Sequence, residues 1–292
     1  MTILNFGSCC IDNVYSVPHF ARPGETLPCS SYEVHPGGKG LNQSIAIAAS
    51  GVEVHHAGKV GNDGQWLIDL LKNRGVVTDE LRVDEGPSGH ANIQVTPDGE
   101  NSIVLHGGSN QKITHDDVDT ALRNDNYEFL LIQNEISSLD YLIEQAAARG
   151  MKIFFNAAPM TESVKSLPFE LVDLLIINEV EGEALTGESE PDSILTKILG
   201  RFPKLNVVLT LGQDGARYAD SEGFLSQSAI KVNAVDTTGA GDTFTGFFVA
   251  QYALGRPMAE VLELACRAAA LSVTREGAAS SIPTADEVAA KL

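Results

Sequence analysis

A mostly parallel β-sheet with helices on both faces, carrying a small antiparallel sheet as a lid, is the fold this sequence predicts. Three observations predict it. Strand-like apolar runs alternate with amphipathic helical patterns along most of the 292 residues. The runs are nearly continuous in apolar residues, as strands buried on both faces are. Two early segments break that rhythm with polar/apolar alternation, the mark of a sheet exposed on one face.

In chain order the strand candidates are 3–7, 53–60, 129–133, 152–156, 174–177 and 207–211. The helical patterns cover 41–50, 64–73, 140–149, 180–185 and 192–200. Segments 29–35 and 91–106 read as antiparallel strands. Ala91-Asn92-Ile93-Gln94-Val95 alternates, and Pro97-Asp98-Gly99-Glu100-Asn101 supplies a turn. A lid built from about 11–36 and 86–107, inserted in a single domain 1–292, follows from them. Near the end, 231–235 reads as a strand end and an amphipathic helix runs from about 242 to 254. Ligands of open α/β sheets bind beyond the carboxyl ends of the strands, and the motifs below fall at such ends.

Composition narrows the class. Hydrophobic residues make up 43% and charged residues 20%, which describes an ordinary soluble globular protein. The net charge of -19, from 20 basic and 39 acidic residues, excludes a nucleic-acid surface but leaves room for an anion held by local N–H groups or a metal. No segment approaches the roughly 18 apolar residues that span a bilayer, so no membrane role is expected. Cys9, Cys10, Cys29 and Cys266 lack Cys-x-x-Cys spacing, and reduced thiols in a cytoplasmic protein fit best.

The stretch from Ala234 to Phe244 carries the most chemistry. Gly239, Ala240 and Gly241 are small residues that bring backbone N–H groups to a helix N-terminus, an anion site made of orphan donors and the positive end of the helix dipole. Asp242 then stands where an anion should sit. A carboxylate there reads as a base working beside the anion, or as a first-turn acid. A dinucleotide fingerprint would need glycine at Phe244, and Gly37-Gly38-Lys39-Gly40 lacks the outer residues of a Gly-x4-Gly-Lys-Ser/Thr loop. A nicotinamide-dependent oxidoreductase is thereby disfavoured, and phosphate is handled by another arrangement.

Four further motifs matter. Pro36-Gly37-Gly38-Lys39-Gly40-Leu41-Asn42 enters a helix, with Lys39 and Asn42 offering hydrogen bonds. Asp12 follows the first strand, where a short acid can bind hydroxyls or cap a turn. Asn178 and Glu181, three apart at a strand-to-helix junction, can hold a hydrated Mg²⁺ or cap the helix reciprocally. Thr210-Leu211-Gly212-Gln213-Asp214-Gly215 ends another strand in a sharp turn.

Together these motifs resemble the ribokinase family of carbohydrate kinases, the PfkB family, in family order and at family spacing from Leu4 through about Pro283. Gly24-Glu25-Thr26, His106-Gly107-Gly108-Ser109-Asn110 and Val273-Thr274-Arg275-Glu276-Gly277-Ala278 add to the match. The resemblance implies a ribokinase-like three-layer α/β sandwich that transfers the γ-phosphoryl group of ATP to a sugar hydroxymethyl group, with ribose the expected acceptor. Another pentose, a ketohexose or a nucleoside is the alternative within the family, and a non-catalytic sugar-binding protein the alternative outside it. It also implies roles. Asp242 is the general base, with Gly239, Ala240 and Gly241 as the anion hole. Asp12, Gly38, Lys39, Asn42 and Glu135 hold the sugar, with Ala91, Ile93 and Ile103 of the lid near it. Asn178, Thr210, Leu211, Gly212 and Gly215 line the nucleotide site, and Glu181 helps organise Mg²⁺ through water. Asp236, Thr238, Ser272, Arg275, Gly277 and Ser281 match positions that bind a monovalent cation, K⁺ by expectation. Lids of this family often pair across a homodimer. Two departures stand out: Cys10-Ile11-Asp12 replaces an Asn-x-Asp sugar contact, and Cys266 stands where a histidine near the adenine is common.

Overall fold

The apolar residues of each central strand divide between two helical layers, and this division builds the sheet. The computed structural model describes residues 2–124 and 126–290. The strands are, in chain order, β1 (Ile3–Phe6), β2 (Cys10–Ser16), β3 (Ser31–Gly37), β4 (Val54–Val60), β5 (Leu81–Val83), β6 (Gly89–Val95), β7 (Asn101–His106), β8 (Phe129–Gln133), β9 (Lys152–Asn156), β10 (Leu174–Asn178), β11 (Asn206–Thr210), β12 (Ala216–Asp220) and β13 (Gly223–Gln227). The helices are α1 (Lys39–Ala49), α2 (Gln65–Asn73), α3 (His115–Ala121), α4 (Leu139–Ala148), α5 (Glu179–Thr186), α6 (Pro191–Arg201), α7 (Ala240–Ala253), α8 (Met258–Ser272) and α9 (Ala285–Ala289). No helix among the described residues is long and apolar enough to cross a membrane.

The central sheet has nine strands in the order β13-β12-β11-β10-β9-β8-β1-β4-β5. It is parallel from β11 to β5, and the β12–β13 hairpin adds an antiparallel edge. Ile3, Leu131, Phe154, Ile176 and Val208 face α1, α2, α7 and α8, whereas Leu4, Leu130, Phe155, Ile177 and Leu209 face α3, α4 and α6. The alternation gives three layers with a core on each face of the sheet.

Four strands form the lid, in the order β3-β2-β6-β7. Strand β2 pairs with β3 antiparallel and with β6 parallel, while β6 and β7 make the expected hairpin. The Thr96 N–H bonds Glu100 O at 3.0 Å across its turn, and Gly99 takes a φ of 84° there.

Three expectations need correction. Residues 231–235 are not a strand: they pair with no strand edge, and Val235 and Asp236 direct their N–H groups to Val273 O just past α8. The helix expected at 242 starts at Ala240, because Gly239 supplies the left-handed turn, φ 74°, that lets the helix begin there. Asp12 lies within β2, not in a turn after β1, since Gly7, Ser8 and Cys9 alone make the corner. The β12–β13 hairpin, β5, α3, α8 and α9 lie outside the elements expected from periodicity. Several are short: β5 spans three residues, α9 five and α3 seven.

A close helix crossing positions the site. A Cβ on Gly246 of α7 would lie 2.4 Å from Ala46 Cβ and 2.8 Å from Gln43 O of α1, so glycine there lets the two helices nearly touch. Ten consecutive residues, Asp242 to Gln251, are buried in α7, which makes it a fixed central post.

Candidate active site

The N-terminus of α7 presents donors by subtraction. The Ala240 N–H reaches Thr237 O at 3.2 Å, and Thr243 is bonded to Gly239 O at 2.9 Å. The N–H groups of Gly241 and Asp242 have no acceptor among the described residues. Of the expected anion hole, Ala240 spends its donor on the loop, whereas the Gly239 N–H, like those of Gly241 and Asp242, meets no acceptor among the described residues. They are the orphan donors a helix start leaves for an anion.

Asp242 sits in the first turn with its carboxylate buried. Asn42 Nδ2 donates to Oδ2 at 3.0 Å and Gln43 Nε2 to Oδ1 at 2.9 Å. Both donors come from α1, brought close by the Gly246 crossing. Asn42 Oδ1 is buried without a partner, an acceptor suited to a ligand hydroxyl. Lys39 shares the cavity with Asp242; the Asp242 charge, more than Glu135 or Glu181, raises the ammonium above its ordinary pKa against the opposing effect of burial.

The expected sugar contacts converge on the same helix start. Glu135 Oε2 accepts the Lys39 N–H at 3.0 Å and the Ser8 hydroxyl at 2.5 Å. Gly38 has a φ of 95° and passes so close to Ser8 O that a Cβ would lie 2.9 Å from it. The Asp12 carboxylate lies over Gly37, where a Cβ would meet it at 2.2 Å. Burial and the nearby Glu135 raise Asp12 to about 6, with His35 opposing. Ala91 pairs with Asp12 in register, and Ile93 pairs with Ile103, so the three lid residues share the Asp12 face.

Cys10, where the family pattern has an amide, is buried and accepts from Asn110 Nδ2 at 3.4 Å. Burial, then Glu135 and Asp12, push its thiol well above the ordinary range, so it stays neutral. Asn110 also clamps Cys9, accepting its N–H at 3.2 Å and donating to its carbonyl at 3.0 Å.

A cavity of ≈ 130 Å³ joins Asp242 and Lys39 to Glu181, Asn178 and Thr210. It opens beside a larger one of ≈ 910 Å³, lined by Asn178, Thr210, Gly212, Gly215, Lys231 and Cys266 among others. Burial pushes the Cys266 thiol up to about 12, so it contributes packing only. Leu211 turns its side chain into the core and lends the turn its backbone, with its N–H on Gly215 O at 2.8 Å. Asn178 and Glu181 form the reciprocal cap: each side chain accepts the other's N–H at 2.9 Å. The Glu181 carboxyl is raised by burial, with Asn178 N–H and Lys39 partly offsetting it.

The expected cation residues form a second loop pair behind the anion hole. Asp236 accepts the Thr238 N–H and hydroxyl, at 2.9 and 2.6 Å, and the Gly277 N–H at 2.8 Å. Burial opposes the Asp236 charge, but these three bonds outweigh it and hold the carboxyl below its usual pKa. Gly239 rests on Ala278, 2.8 Å from a built Cβ to the alanine Cβ. Ser272 and Ser281 turn their hydroxyls to carbonyls of their own chain segments, and Arg275 pairs with Glu287 at 2.5 Å.

Sequence reasoning missed Gln43 and Asn156. Gln43 directly follows Asn42, and one helical step from a ligand-facing residue was the signal to look. Asn156 ends β9 beside the other strand-end motifs and lines the small cavity.

Comparison with known proteins places this geometry in context. The model of the pfkB family of carbohydrate kinases matches residues 2–285. The ribokinase of Bacillus subtilis is 35% identical over 288 residues, covering 97% of this chain and 96% of that protein. Among solved structures, ribokinase from Cryptococcus neoformans in complex with ADP has a TM-score of 0.90 at 33% identity, covering 100% of this chain and 99% of that one. Arabidopsis thaliana ribokinase complexed with ribose and ATP has a TM-score of 0.89 at 29% identity, covering 98% and 97%. A match across nearly the whole length means that the chain belongs to the pfkB family of carbohydrate kinases.

Proposed function

We propose that this protein phosphorylates ribose at its hydroxymethyl group with ATP, giving ribose 5-phosphate. The observation that carries the reading is Asp242, a buried carboxylate placed between a hydroxyl-binding cluster and a helix N-terminus with free donors. In this reading Asp12, Asn42 and Glu135 orient the sugar hydroxyls, and Gly38 lets the backbone approach them. Asp242 accepts the proton of the attacking hydroxyl, and the Gly241 and Asp242 N–H groups meet the charge on the transferred phosphoryl group. Lys39 holds positive charge between the two. Closure of the lid face carrying Ala91, Ile93 and Ile103 excludes water and limits ATP hydrolysis.

Magnesium bound with ATP supplies charge neutralisation on the phosphates. The residues fit an indirect role: Asn178 Oδ1 and Glu181 Oε2 are spent on the cap, which leaves the second Glu181 oxygen to hold a metal-bound water. For a monovalent cation, no group of three or more His, Cys, Asp or Glu able to hold a metal exists among the described residues. The loop pair at Asp236 and Gly277 instead offers backbone carbonyls and hydroxyls, donors suited to K⁺. The compartment this reading requires is the cytoplasm, where ATP is available and the four free cysteines stay reduced. Both lid edges expose apolar residues, Tyr32 and Val34 on β3 and Ile103, Val104 and Leu105 on β7, which supports pairing of two lids in a homodimer.

ADP release measured over ribose, other pentoses, ketohexoses and nucleosides tests the reading. Asp242→Asn removes the base while keeping its shape, and turnover on ribose should fall on the order of 10²–10⁴-fold with sugar affinity little changed. Sugar-independent ATP hydrolysis alone, or near-normal turnover in Asp242→Asn, would sink it.

A further inference from the structure

Behind Asp242 lies a run of polar side chains that no contact with sugar or nucleotide explains. Gln43 donates one amide hydrogen to Asp242 Oδ1 and the other to Asn156 Oδ1, both at 2.9 Å. Its own Oε1 accepts from Gln133 Nε2 at 2.7 Å. Gln133 Nε2 also donates to Asn5 Oδ1 at 2.9 Å, and Asn5 Nδ2 continues to Gly40 O and Ser44 Oγ, each at 2.8 Å. Ser44 then meets His56 Nδ1 at 2.8 Å, and Asn5, Gln43, Ser44, His56 and Gln133 are all fully buried.

The direction of this chain is dictated from one end. A carboxylate only accepts, so Gln43 must present its amide hydrogens to Asp242 and its oxygen to Gln133. Gln133 must then donate to both neighbours, and its Oε1 is left buried without a partner. Ser44 receives from Asn5 and lies in hydrogen-bond contact with His56, whose ring burial holds at about 4 and therefore neutral. Apolar residues would fill this space at lower desolvation cost. A fully buried chain that leaves one oxygen unpaired in order to satisfy Asp242 serves the orientation of that carboxylate.

We infer that Gln43 is a positioning residue for the base: its amide, locked by Gln133 and Asn156, fixes the plane and direction of the Asp242 carboxylate. The inference rests on Asp242 acting as the base. Asn42 holds the second carboxylate oxygen but faces the sugar cluster, so it can shift with substrate; Gln43 is anchored wholly from within the core. The titratable groups facing Asp242 are Lys39 of α1 and Glu181 of α5, and Gln43 touches neither.

The test measures turnover, KM and pH profile on the sugar that the ADP-release panel identifies. Gln43→Leu should lower kcat on the order of 10–100-fold with KM for sugar and ATP nearly unchanged. It should also move the acid limb of the rate profile upward, because the carboxylate loses a donor that favours its charged form. Gln43→Glu should move that limb further, since two carboxylates in contact must share a proton. In an Asp242→Asn background, Gln43→Leu should add no further loss. A folded Gln43→Leu protein with normal kcat and an unmoved acid limb overturns the inference, and so does an equal further loss in the Asp242→Asn background. Should Gln43→Leu fail to fold, the Gln43→Glu profile decides: an unmoved limb overturns it. An active Asp242→Asn enzyme would remove the base reading and this inference together, whereas an inactive one beside normal Gln43 variants removes the positioning role alone.

Discussion

Replacing Gly246 by alanine tests whether the α1–α7 crossing sets the geometry of the site. The added Cβ would lie 2.4 Å from Ala46 Cβ, 2.8 Å from Gln43 O and 3.1 Å from Ile47 N. Carbon atoms in contact rest at about 3.5–4.0 Å, so the helices must part by roughly 1–1.5 Å. Overpacking of this kind costs about 1–3 kcal/mol, which alanine's better helix propensity offsets by roughly 1 kcal/mol. The net cost of up to about 2 kcal/mol, at about 2–4 °C per kcal/mol, should lower the melting temperature by up to about 8 °C. The catalytic effect is larger, because the crossing carries Asn42 and Gln43 on one helix and Asp242 on the other. A displacement of about 1 Å is worth on the order of 10² in rate. Steady-state kinetics should therefore show kcat reduced on the order of 10–100-fold, with KM for ATP close to wild type because most of the nucleotide cavity is built by other elements. A Gly246→Ala protein with normal turnover and an unchanged or higher melting temperature would refute the reasoning.

Asp12 is raised to about 6 in the free protein, so the ionised form that accepts sugar hydroxyls is complete above that pH. KM for the sugar should be flat from pH 7 upward and rise as pH falls through 6, by about tenfold per unit at the limit; a KM constant down to pH 5 would contradict it. Asp236 joins the two loops behind the anion hole, so K⁺ should raise activity over a cation-free buffer and Asp236→Ala should abolish the response. Light scattering should give about twice the 31.1 kDa chain mass, and a concentration-independent monomer would rule out lid pairing.

The central strands and most of the helices covering them were legible in the sequence because each carries a period that burial imposes. Ile3 to Phe6 and Phe129 to Gln133 are buried on both faces and, Asn5 and Gln133 apart, apolar on both. The lid hairpin was legible through its alternation and its Asp98-Gly99 turn. What escaped was structure defined by its partner and not by its own pattern. The segment at 231–235 alternates like a strand, yet its Val235 N–H goes to Val273 O just past α8 and not to a strand edge. Gln43 has the same character: as a residue it is one amide in a helix, and its meaning comes from Gln133 on β8, Asn156 on β9 and Asp242 on α7, three positions far apart in sequence. Asn178 and Glu181 show the intermediate case. Their spacing allowed a cap or a metal-water site, and the structure makes the cap with one oxygen of each, which leaves the second reading only the remaining carboxylate oxygen.

A chain with 39 acidic and 20 basic residues that uses ATP must overcome its own long-range field. Few basic side chains line the two cavities; Lys39 and Lys231 are the ones that do. The remaining attraction has to be local and built from backbone: free N–H groups at the start of α7, and a turn at Gly212, which has open space where a side chain would be, while Gly215 lets the turn pack against Gln227 O. Such donors act over a few ångströms, so they favour an anion only once it is placed. The same economy explains why the base can be a carboxylate. Beside a dense cluster of lysines or arginines, Asp242 would be paired and weak as a base. At a helix start with one lysine nearby and an amide donor on each oxygen, the proposed base is held by neutral groups, and the free N–H donors beside it are ones that Asp242 does not consume.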